Sequence, residues 1–128
     1  MAKLTKQRWK KLVATVDRVD ANAPDEQLHQ VRIAARRCRF AAEAAVEVGR
    51  PAIRFANRLV AVQAVLGDVQ DGVFAATWLR PSAEEHMELN LVSGEYLAAE
   101  HAAKASARSC WPKVWVKASR PSARRWFD

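Results

Sequence analysis

One segment constrains the fold more than any other, because its apolar residues repeat every three or four positions. The repeat runs through the stretch 28–46, and this spacing places the apolar side chains on one face of an α-helix. A β-strand would alternate apolar and polar residues, and no alternating segment bounded by turn residues occurs in the sequence. We therefore predict an all-α fold with this face in the core. The repeating residues are Leu28, Val31, Ala35, Cys38, Ala42 and Ala45.

Prolines and glycines divide the chain into four long predicted helices. We expect Pro81 to end the third helix, Pro112 to kink or restart the fourth, and residues 120–128 to fray. Long helices joined by short loops favour an antiparallel four-helix bundle, and 128 residues suffice for one domain spanning 1–128. The predicted helices cover roughly 2–20, 25–48, 51–79 and 83–109.

The charge is unevenly distributed along the chain. Of the net +7, residues 1–60 carry thirteen Lys and Arg against six Asp and Glu, whereas residues 61–103 carry one base against seven acids. Positive charge concentrated in this way predicts a polyanionic partner. The N-terminus lacks a signal-peptide core and no stretch approaches 18 consecutive apolar residues, so we expect a cytoplasmic protein with no membrane partner. Cys38 and Cys110 fit that location as reduced, buried residues.

A row of basic residues lies beside the apolar seam of the second helix. It consists of His29, Arg32, Arg36 and Arg39, which occupy about a quarter of the helix circumference over about 15 Å. Like charges three or four positions apart repel, and only Glu43 offers local compensation. Arginine pairs with phosphate oxygens through two parallel hydrogen bonds and keeps its charge, so the row predicts a phosphate ligand. The alternative is a solvated basic face in which Arg39 pairs with Glu43.

Two strings of the sequence resemble the CHAD family, the conserved-histidine α-helical domain. The first is Leu28-His-Gln-Val-Arg-Ile-Ala-Ala-Arg-Arg-Cys-Arg-Phe-Ala-Ala-Glu43, and the second is Leu59-Val-Ala-Val-Gln-Ala-Val-Leu-Gly-Asp-Val-Gln-Asp71. The resemblance extends more weakly to Gly94 and the Trp-containing end. It implies a helical module that binds inorganic polyphosphate, in some members at polyphosphate granules, and it supports a ligand contact by His29.

The chain departs from this family in one important respect, and in smaller ways at Phe40 and Arg36. The resemblance implies two four-helix bundles related by a pseudo-twofold, each supplying a basic helix, whereas this chain contains a single such helix and resembles the C-terminal half. We therefore expect either a fragment or a half-length protein that pairs with itself or with another CHAD half. A twofold homodimer would rebuild the shared surface.

Further cations are candidates for widening the basic surface. Arg54 and Arg58 lie one turn apart on the third predicted helix, where they either extend the row or face solvent. Arg37 points away from the row, towards solvent or a secondary contact. The candidate polyphosphate-binding set is therefore His29, Arg32, Arg36, Arg39, Arg58, Arg54 and Arg37.

Other functions are less well supported by the residues. Glu26 and His29 have the spacing of a di-iron helix motif, but no second pair follows. No nucleophile–base arrangement is evident either, so we expect a binding protein without catalysis, cofactor or metal. Nucleic-acid binding remains the main alternative because it shares the phosphate repeat, although no standard DNA-binding motif is present. A protein-interaction module is the third possibility.

Overall fold

The computed structural model describes residues 1–77 and 94–128 with their side chains, and the backbone alone for 78–85 and 87–93. The prediction of an all-α fold is confirmed: the described residues form helices and contain no strand. Each of the first four helices packs against the next along the chain, and a short fifth helix contacts the third. The helices are α1 (Ala2–Asp17), α2 (Asp25–Glu43), α3 (Arg50–Glu85), α4 (Met87–Ala118) and α5 (Pro121–Arg124).

The second helix buries the predicted seam. Two acidic residues in its first turn, Asp25 and Glu26, favour the start of α2 through the helix dipole. The chain then turns at Gly49, whose φ of 77° is a backbone conformation that glycine adopts without strain. All six residues of the predicted seam are buried, together with Ala41. Burial raises the pKa of Cys38 to about 12, and the nearby charge of Arg8 opposes that rise. Cys110, which we also expected to be buried, is exposed.

The third and fourth helices differ from the sequence prediction at two prolines. α3 continues through Pro81 to Glu85, and α4 continues through Pro112 to Ala118. A proline inside a helix removes one backbone hydrogen bond and costs about 3 kcal/mol. Around Pro112 this cost is offset by packing, because Trp111 and Ala118 are both buried in the core.

Contacts between α3 and α4 show that the two helices run in opposite directions. Near the middle of the chain, a Cβ atom on Gly72 would lie 2.9 Å from the Cβ of Lys104. Closer to the start of α3 and to the end of α4, Arg58 Nη1 donates to the carbonyl of Lys117 at 3.2 Å. Gly72 therefore permits the two helices to approach closely. At Gly67 a Cβ atom would make only an ordinary 3.9 Å contact.

The C-terminal segment 120–128, for which we expected fraying, lies against the core. Phe127 is buried, and its ring meets Phe55 of α3 at 5.0 Å between centroids. Trp115 of α4 stacks on Trp9 of α1 at 5.2 Å. The C-terminal aromatic residues Trp115 and Phe127 therefore serve in packing.

One segment of α3 is apolar enough to meet the length and composition criterion for a membrane span. It covers Arg50–Thr77, and 39% of its most apolar window is buried within the fold. Core helices of water-soluble proteins meet the same criterion, so the segment is weak evidence for a membrane location.

Candidate functional site

The predicted basic row lies on α2 where α3 packs beside it. Arg32 is partly buried, and its Nε lies 3.9 Å from the position that a Cβ atom on Gly67 would occupy. His29, also partly buried, precedes it by about one turn, and Arg36 follows it on the exposed surface. The helix therefore brings His29, Arg32, Arg36 and Arg39 together on one side, as the sequence predicted.

The end of the row nearest the C-terminus of α2 is partly compensated. Arg39 Nε lies 3.4 Å from Glu43 Oε1, which is an ion pair, but this nitrogen forms no hydrogen bond with a described residue. The guanidinium groups of Arg36 and Arg39 also lie over the ring of Phe40, with Cζ at 5.3 and 4.8 Å from its centroid. Both guanidinium groups are thus attracted to the face of the same ring.

The centre of the row is not compensated within the described part of the chain. There, Arg32 and Arg36 pair with no carboxylate. His29 Nδ1 and Arg32 Nε are buried, and neither has a hydrogen-bond partner among the same residues. Leaving such an atom unsatisfied costs about 1–3 kcal/mol, and a ligand that reached either nitrogen would remove this cost.

Two cations of α4 contact the beginning of α2, and no pattern in the sequence predicted this contact. Lys104 Nζ and Arg108 Nη1 lie 2.6 and 2.8 Å from the two carboxylate oxygens of Asp25, and Arg108 also donates to the carbonyl of Ala23. Asp25 lies one turn before His29 on the same side of α2. The four-residue spacing of Lys104 and Arg108 marks them as neighbours on one helix, but nothing in the sequence indicates their partner.

The other candidate cations lie elsewhere. Arg54 and Arg58 border a groove of about 350 Å³ together with Lys117 of α4, and no residue of α2 lines it. The structure therefore does not bring this pair together with the row. Arg37 is exposed and lines a separate groove between α1 and α2.

The described residues contain no group of three His, Cys, Asp or Glu side chains close enough to hold a metal ion. The chemistry of the site is that of fixed cations and hydrogen-bond donors. Such groups bind anions and hold them in register along the helix.

Comparison with known proteins identifies the family. No curated protein and no solved structure is significantly similar to the chain. A model of the CHAD domain matches residues 1–80, which contain α1, α2 and most of α3. The match includes both strings noted in the sequence but ends before Gly94 and the Trp-containing end, where we expected a weaker likeness. The chain belongs to the CHAD domain family.

Proposed function

We propose that the basic row of α2 binds inorganic polyphosphate without catalysing a reaction. The observation that carries this proposal is the uncompensated centre of the row, where Arg32 and Arg36 have no carboxylate partner among the described residues. Membership in the CHAD family, whose domains bind polyphosphate, supports the choice of ligand.

The arrangement of charges suits a linear polyanion. From His29 to Arg39 the row extends over about 15 Å of one helix face. Asp25 and Glu43 bracket it, each already engaged by cations of the fold. The free donors are therefore concentrated between these two carboxylates. A chain of phosphoryl groups lying along α2 would contact them in succession, each through charge-assisted hydrogen bonds.

Pairing of two chains would enlarge this surface. The chain supplies one basic row, whereas the two-bundle arrangement expected for the family has two. We propose that an antiparallel four-helix unit of this chain pairs with a second copy or with another CHAD half about a twofold axis. The molecular mass in solution, measured with and without polyphosphate, tests this pairing. A cytoplasmic location, in cells at polyphosphate granules, is part of the same proposal.

The decisive experiment compares ligands and variants together. Replacing Arg32, Arg36 and Arg39 with Gln should weaken binding of long-chain polyphosphate by about a hundredfold or more, because each charge-assisted hydrogen bond contributes about 1.5–3 kcal/mol. Far-ultraviolet circular dichroism should show unchanged helicity. The matched control replaces the exposed Lys3, Lys10 and Arg50 with Gln and removes the same charge elsewhere. Equal losses in both triple variants would refute the site.

Nucleic acid is the competing ligand. Polyphosphate, duplex DNA and single-stranded RNA of equal total charge should be titrated under identical salt conditions. The proposal predicts tighter binding of polyphosphate than of either nucleic acid. Tighter binding of DNA or RNA would replace it with a nucleic-acid-binding function, and equal affinities would indicate a non-specific basic surface.

A further inference from the structure

A second group of cations lines the groove between α1 and α2, away from the basic row. Neighbouring residues on a helix point about 100° apart, so Arg37 faces a different side of α2 from Arg36. The groove has a volume of about 290 Å³ and contains small and apolar side chains, including Ala14 and Ala34, between its charged residues. Its cations are Arg8, Lys11 and Arg18 of α1 and Arg37 of α2.

These four cations carry no compensating charge within the described part of the chain. No carboxylate lines the groove, and none of the four forms an ion pair with a described residue. Arg8 and Lys11 are one turn apart and repel each other by a few tenths of a kcal/mol. The lining residue Gln30 donates from Nε2 to Glu26 Oε1 at 2.9 Å; Glu26 keeps its charge but does not line the groove. The positive potential of the groove is therefore left for a ligand.

The groove differs from the basic row in shape. The row presents cations on one helix, whereas here α1 and α2 present cations from two walls of one concave surface. A ligand in the groove is thus surrounded by positive charge on two sides, which favours a compact anion of high charge over an extended chain. The guanidinium group of arginine and the ammonium group of lysine both bind phosphate groups.

We propose that this groove is a second anion site, which binds a compact phosphate anhydride or phosphate ester with three or more negative charges. Inorganic tripolyphosphate and a nucleoside triphosphate both have this chemistry. The proposal does not depend on the function of the α2 row, because it uses different residues on another side of α2.

The test uses inorganic tripolyphosphate and calorimetric titration of the full chain. To exclude binding at the row, the chain carries Gln at positions 32, 36 and 39. The exposed Lys11 and Arg37 are then both replaced with Glu. The control replaces the exposed Lys3 and Lys10, also on α1 but outside the groove, with Glu and changes the net charge equally. Lys11→Glu with Arg37→Glu should weaken tripolyphosphate binding by about tenfold or more, and the control by clearly less.

Three outcomes would overturn the proposal: no tripolyphosphate binding in the row-deficient chain, equal losses in both double variants, or displacement of tripolyphosphate by duplex DNA but not by ATP. Displacement by ATP would support an organic phosphate ligand, and binding of tripolyphosphate that neither ATP nor duplex DNA displaces would support an inorganic one. If the row-deficient chain does not fold, the double variants are compared in the otherwise unchanged chain. Lys11→Glu with Arg37→Glu must then remove one of two binding events, and retention of both would refute the site.

Discussion

Replacing Gly72 with alanine should destabilise the protein, although alanine is the better helix former. In an isolated helix, replacing glycine with alanine stabilises the helix by about 0.8–1 kcal/mol. At Gly72 the new Cβ would lie 2.9 Å from the Cβ and 3.0 Å from the Cδ of Lys104. Because the Cβ of Lys104 is attached directly to the α4 backbone, the two helices must separate. Overpacking of this kind costs about 1–3 kcal/mol, so the net loss should be about 1 kcal/mol.

Urea unfolding followed by far-ultraviolet circular dichroism measures this loss. Gly94→Ala is the matched control, because Gly94 also lies in a helix and a Cβ there would meet nothing within 4 Å. The control should raise the free energy of unfolding by up to about 1 kcal/mol. If Gly72→Ala stabilises the protein as much as Gly94→Ala does, the close contact between α3 and α4 is wrong.

The next predictions concern the two cysteines and the carboxylate of Asp25. Alkylation of the native protein at mildly alkaline pH should modify the exposed Cys110 but not Cys38, and the denatured protein should react at both, as the added mass will show. Burial raises the pKa of Cys38 from 9.0 to about 12, so the thiol of the unfolded chain loses its proton at lower pH than the thiol of the folded chain. The free energy of unfolding should therefore fall as the pH rises from 9.0 to about 12. The control is a Cys38→Ala variant, which should not show this fall. Asp25→Asn should lower the free energy of unfolding by about 1 kcal/mol, since Asp25 is partly exposed. It should also tighten polyphosphate binding, because Lys104 and Arg108 lose their anionic partner; weaker binding would contradict the proximity of these cations to the row.

The local part of the fold was predictable from the sequence. The apolar repeat of α2 identified its buried face correctly, because a helix longer than a few turns must place residues of that spacing on one side. The same periodicity placed His29, Arg32, Arg36 and Arg39 together. The partial burial of His29, Arg32 and Arg39 could not be predicted, because it depends on how closely α3 packs beside them.

The prolines and the contacts between helices were less predictable. Pro112 weakens a helix locally, but the burial of Trp111 on its N-terminal side depends on distant partners. Similarly, the ion pairs of Asp25 with Lys104 and Arg108 depend on the register of α4 against α2, which no local pattern encodes.

The salt dependence of polyphosphate affinity tests the role of the basic row most directly. A ligand held by fixed cations displaces counterions, so log K should fall linearly with log salt concentration. Replacing Arg32, Arg36 and Arg39 with Gln should make this slope shallower by about two to three units, about one for each lost phosphate contact. The Lys3, Lys10 and Arg50 control should keep the slope of the unaltered chain. An unchanged slope in the row variant would contradict phosphate binding along α2.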